Sequence, residues 1–224
     1  EAFEYYRKSG VTHVVCEEKH MGSRAVAIVC KNMETAQKWF HSNARDGVIY
    51  TRTGRPFFKP EMESEVLERL RRAITEAGWW DKLSTDWVCL DMEVMPWSAK
   101  AQSLIEEQYA RVGSAGRIGL QATEAALTAA VSNGADLADL LEKTKQRSEA
   151  VDRFSNAYRQ YIWPVSSVDD LKIAPFHLLA SEGRVYADAD HAWHMKTLAE
   201  LADSNEHILM TTNWREVDLA DLGS

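Results

Sequence analysis

Glu17-Glu18-Lys19-His20-Met21-Gly22-Ser23-Arg24 is the stretch whose reading decides the fold. Val14-Val15-Cys16 before it and residues 25–30 after it are short, apolar and rich in β-branched side chains, as strands are. Gly22 then lies where one strand is expected to double back on the other. That context excludes a P-loop, which carries Gly-Lys-Ser/Thr and opens a helix. Here the lysine precedes the glycine and a strand follows, so Lys19 must do something other than cradle phosphates.

Outward from this turn, residues 11–58 read as strands broken by one helix over 33–42. Thr51-Arg52-Thr53-Gly54-Arg55-Pro56 forms a hairpin-like turn between Val48-Ile49-Tyr50 and Phe57-Phe58. Val66, Leu67, Leu70, Ala73 and Ile74 recur at helical spacing and predict a helix over 60–77 that Gly78 can close. Trp87-Val88-Cys89-Leu90-Asp91-Met92-Glu93-Val94 follows as a buried strand carrying two acids. From 101 to 162 the chain turns rich in Ala, Leu, Glu, Lys and Gln at helical spacing, with breaks expected at 113–119 and at Ser132-Asn133-Gly134. The mixed pattern returns at Trp163-Pro164 and 171–180. The expected fold class is α+β, with residues 1–100 as the first part of a core, 101–162 as an all-α insert and 163–224 as the return to the core.

With 34 acidic against 26 basic residues the net charge is −8, which argues against a broadly basic surface for polyphosphate backbones. Local basic grooves remain open to Arg45, Arg52 and Arg55 around one turn, and to Arg69, Arg71 and Arg72 on one helix. For the second group a solvated helix face is the plainer reading. Cys16, Cys30 and Cys89 lie in strand-like runs without CxxC spacing, so neither a zinc site nor a disulfide framework is expected, and a reducing cytoplasm fits. No apolar run approaches the roughly 18 residues that span a bilayer, so no membrane partner is expected. The start is no signal peptide, and the absence of an initiator methionine suggests a piece of something longer.

A lysine amine is a poor nucleophile at its ordinary pKa of about 10.4, because it is almost wholly protonated at neutral pH. Neighbouring cations or a metal ion held by acids can strip that proton, and Arg24, Arg52 and the two acids of the 87–94 strand are candidates. Attack on the α-phosphate of ATP would form a phosphoramidate and expel pyrophosphate. Guanidinium groups and Mg²⁺ would stabilise the charge that builds on the phosphoryl oxygens.

Lys19-His20-Met21-Gly22-Ser23-Arg24 resembles motif I of the covalent nucleotidyltransferases, the superfamily of DNA ligases, RNA ligases and mRNA capping enzymes. The form Glu-Glu-Lys-His-Met-Gly-Ser-Arg resembles in particular the ligase (adenylyltransferase) domain of bacterial polynucleotide kinase-phosphatase. Tyr50-Thr51-Arg52-Thr53-Gly54-Arg55 resembles motif Ia. Leu90-Asp91-Met92-Glu93-Val94-Met95-Pro96-Trp97-Ser98-Ala99-Lys100 resembles motif III with its extension, and Ile173-Ala174-Pro175-Phe176-His177-Leu178-Leu179-Ala180 resembles motif IIIa. The family carries a helical insertion between the last two, where the Ala-rich texture occurs.

The resemblance implies an ATP-grasp-like ligase core of antiparallel sheets with flanking helices. By matching position, Lys19 would be the adenylylated nucleophile, Arg24 would contact the ribose or phosphate of AMP, and Arg52 would hold the phosphate side. Glu93 would bind the ribose hydroxyls or a metal-bound water, with Asp91 a weaker metal candidate. Phe176 would stack on adenine, and Glu17 and Glu18 would lie near the base edge. ATP and Mg²⁺ or Mn²⁺ are the implied cofactors. RNA ends, a 3′-terminal RNA ribose methyltransferase, and kinase and phosphatase domains in the parent chain are the implied partners.

Ser181-Glu182-Gly183-Arg184-Val185 has only a superficial Glu-Gly likeness to motif IV and reads as a helix end capped by Gly183. Asp188, Asp190, His191 and His194 read as the acidic cap of an exposed helix in preference to a metal site. Trp214 to Asp221 looks like the approach to motif IV, so motifs IV and V are expected to lie outside this chain, which alone should adenylylate itself poorly. The alternatives are a DNA ligase or a capping-type guanylyltransferase, and, from another class, a non-catalytic nucleic-acid-binding or scaffold module.

Overall fold

The β-branched run after Gly22 folds as β2 (Ser23–Cys30), with Ala25, Ala27 and Val29 buried on one face in strict alternation. It is an inner strand of a five-stranded antiparallel sheet in the order β3-β2-β4-β5-β6. The others are β3 (Gly47–Thr51), β4 (Trp87–Met95), β5 (Lys172–Ser181) and β6 (Arg184–Val185). A separate two-stranded sheet pairs β1 (His13–Glu17) with β7 (Trp214–Asp218). The computed structural model describes residues 1–97 and 105–220. The extension of motif III at Ser98-Ala99-Lys100 and the start of the insert at 101–104 lie outside the described residues, as does 221–224.

The chain divides into two compact units, Glu1–Met95 with Val165–Ser224, and Pro96–Pro164. In the first, α1 (Ala2–Lys8) precedes β1, α2 (Met33–Phe40) follows β2, and α3 (Pro60–Glu76) packs on β2 and β3. Asn32 caps α2 by accepting from the Thr35 N–H at 2.9 Å, and Pro60 opens α3 with its fixed φ and missing donor. The core joins Val66, Leu70 and Ile74 of α3 to Leu90, Met92, Ile173 and Leu178 of the sheet. Short α4 (Trp79–Lys82) adds the fully buried Trp79. The 52–55 turn after β3 closes with a single bridge from Tyr50 to Pro56 and the Phe57 N–H donating to Ile49 O at 2.8 Å, so the hairpin-like element is present.

Four expectations need correction. β1 does not double back onto β2: both edges of β2 are filled, by β3 and by β4, so β1 has no edge there and pairs with β7. Residues 18–22 instead cross from one sheet to the other. Ser181 to Val185 is no helix end but a tight hairpin, with Gly183 at φ +74° between β5 and β6. Helix α7 (His191–Ala202) is capped by Asp190, whose carboxylate accepts from the Ala192 N–H at 3.1 Å, yet it is not exposed: Met195, Leu198 and Leu201 are buried. Nor is the arginine face of α3 merely solvated, although Arg72 stays half-exposed. Arg69 and Arg72 both pair with the buried Glu206, and Arg71 pairs with Asp46 at 2.7 Å.

In the second unit a π-helical turn (Ile105–Tyr109) leads into α5 (Ala110–Ser132), and residues 133–137 turn the chain into α6 (Ala138–Arg159). The break expected at 113–119 does not occur. A Cβ on Gly113 would lie 3.0 Å from Ser155 Oγ, and one on Gly116 3.4 Å from Val151, so these glycines let the antiparallel helices approach closely. Tyr109, Phe154 and Tyr158 cluster where the helices meet.

Candidate functional site

Lys19 is exposed in the 18–22 crossing, and its neighbours on both sides are pinned. Before it, the Glu18 N–H donates to Asn213 O at 2.8 Å, and Asn213 returns an amide N–H to the Glu18 carboxylate at 3.0 Å. After it, His20 Nε2 lies 2.9 Å from Thr212 Oγ1, and the Gly22 N–H donates to Glu93 Oε1 at 2.9 Å. Gly22 passes so close to β4 that a Cβ would stand 2.4 Å from Val94 O. Only glycine fits that approach, which makes its identity a packing requirement and not one of left-handed backbone.

β2 and β4 set the polar groups beside this crossing. Arg24 lies opposite Glu93 and Val26 opposite Asp91, so Asp91 and Glu93, two apart, share the face that Arg24 occupies. Arg24 reaches diagonally to Asp91 and grips it with two guanidinium nitrogens, Nε donating to Oδ1 at 2.8 Å. Asp91 is fully buried, and these bonds hold the Arg24 guanidinium above its ordinary value. Burial pushes the Glu93 carboxyl above its ordinary value, against the opposing pull of the Gly22 N–H and the Lys19 charge.

Phe176 comes from a β-bulge. The β4–β5 register steps from Asp91 opposite His177 to Met92 opposite Pro175, leaving Phe176 as the extra residue. Pro175 can sit there because a bulge spares it a ladder donor. Phe176 is half-buried, with the Arg24 guanidinium carbon 5.9 Å from its ring centroid. Glu17 ends β1, and its carboxylate lies 2.9 Å from His191 Nε2.

The structure thus links Lys19, Arg24, Asp91, Glu93 and Phe176, and Glu17 through the two histidines, where β1, β2, β4 and β5 approach, while Glu18 is held by Asn213. Arg52 stays apart from this network: it sits exposed on the turn after β3 and makes no ion pair among the described residues. The sequence offered Asp91 as a metal candidate, but both its oxygens are taken by Arg24. Sequence reasoning missed Thr212, Asn213 and the link from His191 to Glu17, all partners nearly two hundred residues away with no motif of their own. The alternation of Asp91 and Glu93 was the one signal that could have shown a shared face.

The antiparallel core thus presents a lysine, an arginine and a carboxylate around one glycine crossing. The chain belongs to the family described as PNKP adenylyltransferase domain, ligase domain, whose model matches residues 1–224. Among solved structures it is similar to a chain of the "Structure of the Pnkp1/Rnl/Hen1 RNA repair complex", with 16% identity, a TM-score of 0.54 and 97% of this chain covered. A second, "Structure of Pnkp1/Rnl/Hen1 complex", matches at 16% identity and TM-score 0.55 over 96% of this chain. This chain spans 57% of each of those chains, and at that identity the likeness shows the fold. No curated protein matches.

Proposed function

We propose that this domain takes AMP from ATP onto Lys19 as the first step of joining RNA ends. Lys19 Nζ, as the free amine, attacks the α-phosphorus. The P–N bond forms as the bond to the bridging oxygen breaks, and pyrophosphate leaves. The observation that carries this reading is the Gly22 to Glu93 contact, which lays the lysine crossing against the Arg24–Asp91 pair. A lysine fixed on both sides attacks from a set position, and that removes much of the orientational cost of the step.

Arg24 supplies fixed positive charge for the ribose or phosphate side of AMP, with Asp91 neutralising and aiming it. Phe176 offers a ring for the adenine face beside Glu17 and Glu18. Arg52, exposed on its turn, would hold the departing phosphates.

The cation expected here is Mg²⁺ or Mn²⁺. No cluster of three or more metal-ligating side chains exists among the described residues. Mg²⁺ needs only one or two carboxylates beside water and phosphate oxygens, and Glu93 fits: its Oε2 accepts no hydrogen bond among the described residues. Asp91 does not fit, since Arg24 occupies it. When bound, the cation would neutralise charge on the phosphate oxygens.

In the parent protein AMP would then pass to an RNA 5′-phosphate, and a 3′-hydroxyl would displace it. Kinase and phosphatase domains in the same chain and a 3′-terminal ribose methyltransferase are the proposed partners, supported by the family and by the composition of the two solved complexes. The test is incubation of the full-length protein that carries this domain with α-labelled ATP or GTP and Mn²⁺, then denaturation. Label from ATP that is lost in Lys19→Ala is the expected result. Label from GTP instead would favour a guanylyltransferase, and no label with ATP still bound would favour a non-catalytic module.

A further inference from the structure

Three histidines gather beside the proposed adenosine pocket, and the steps above use none of them. His191, at the first turn of α7, places Nε2 2.9 Å from the Glu17 carboxylate and Nδ1 3.2 Å from His177 Nε2. His177 belongs to β5 immediately after the bulged Phe176, opposite Asp91. His194 stands behind it, with ring centroids 4.8 Å apart. The Leu178 N–H donates to His194 Nδ1 at 3.3 Å, so His194 carries its proton on Nε2 and donates to Tyr186 O at 3.2 Å. His194 is therefore fully engaged inside the fold.

The link from Glu17 to His177 differs because it joins two separate sheets. A carboxylate only accepts, so His191 Nε2 carries a proton and donates to Glu17. His191 Nδ1 then accepts from His177 Nε2–H, or donates to it if His191 is an imidazolium. Burial, and next the neighbouring His191, lowers the His177 pKa, which favours the neutral ring. Either way the two imidazoles form one continuous bridge from the end of β1, two residues before Lys19, to the bulge that presents Phe176.

We infer that His191 is a positioning residue for nucleotide binding: with His177 it ties the Glu17 end of the lysine strand to the Phe176 bulge, fixing the spacing between the two walls that receive the base. This inference rests on the proposed function. Glu17 Oε2 is committed to His191, which fixes the carboxylate at the end of β1. This bridge is a hydrogen-bonded link from β1 through α7 to β5, and without it both walls can drift. Among the described residues the bridge atoms make no hydrogen bond with Lys19, Arg24 or Glu93. The loss should therefore fall on ATP binding and not on the rate once ATP is bound.

The experiment measures Lys19 labelling against ATP concentration in the full-length protein that carries this domain. His191→Ala removes a charge-assisted hydrogen bond and should raise the ATP concentration for half-maximal labelling about tenfold, with the maximal rate within about twofold. His191→Gln places an amide N–H near the Nε2 position and should recover most of that loss, a rescue that plain packing would not give. If the alanine protein fails to fold, His191→Asn, whose shorter amide stops short of Glu17, replaces it. Unchanged half-saturation in the alanine protein, or a glutamine protein as impaired as alanine, overturns the inference while leaving the lysine chemistry standing. Absence of label in the wild type removes the proposed function, and this inference with it.

Discussion

At the scale of single residues, Glu93 meets two opposing demands. It must accept the Gly22 N–H that seats the lysine crossing, yet burial resists its charge and lifts its pKa above the ordinary glutamate value. An unfolded glutamate ionises above about pH 4.3, whereas the folded chain holds that proton to higher pH. The folded state binds the proton more firmly, so Glu93 favours folding below that window, and the contribution is lost as pH rises from the ordinary value through the raised one. Glu93→Gln keeps an oxygen for Gly22 and carries no charge. Its thermal midpoint should equal or exceed the wild type at pH 7 to 8, with the margin shrinking towards pH 4, while Lys19 labelling falls by at least about tenfold. Melting curves across that range check it, and a margin that grows towards acid pH would mean the charge is net stabilising. The sequence singled out Lys19, Arg24 and Glu93 by their residue types, and the fold sets Arg24 opposite Glu93 and Glu93 against Gly22 beside the lysine crossing. The Arg24 partner of Asp91 was not legible, because a carboxylate in a strand looks the same whether a metal or an arginine neutralises it.

Among the elements, α3 was legible from periodicity: over 60–76 it matches the apolar spacing closely because one face meets the sheet, whereas the short α1 and α4 carried no such signal. Strand pairing was not legible. Which edge β1 finds depends on β3 and β4 having filled β2, and no local pattern near Gly22 carries that information. The glycines of α5 were misread for a related reason, since a glycine that breaks a helix and one that admits a neighbouring helix are the same letter. Their environments separate them. Gly119 has nothing within 4 Å of its would-be Cβ, whereas Gly113 faces Ser155 Oγ at 3.0 Å. Gly119→Ala should therefore stabilise the helical unit by about 1 kcal/mol through helix propensity alone. Gly113→Val should destabilise it by about 1–3 kcal/mol through overpacking, beyond any gain in propensity. Urea denaturation followed by circular dichroism separates the two. Equal effects at both sites would show that α5 and α6 do not rely on the close approach.

Over the whole molecule, the strand that leads to the nucleophile is secured almost entirely by the far end of the chain. Among the described residues β1 pairs with β7 alone, from His13 opposite Asp218 to Glu17 opposite Trp214. Arg7 Nε donates to Leu219 O at 2.7 Å, Glu18 is clamped by Asn213, and His20 meets Thr212. The five-stranded sheet contains none of these residues and has its own core on α3. Closing a loop of some two hundred residues costs entropy that local contacts cannot offset early in folding. The lysine strand should therefore dock late and open at lower cost than the sheet. Deleting residues 213–220 should leave a cooperative transition from the sheet and helices but expose β1 as an unpaired edge. ATP binding and Lys19 labelling should be lost together, and amide exchange at residues 13–18 should rise by at least about a hundredfold relative to Leu90 and Met92 in β4. If residues 13–18 stayed protected after the deletion, β1 would owe its place to contacts within the first half of the chain. In that case the nucleophile would be seated by Gly22 and Glu93 alone.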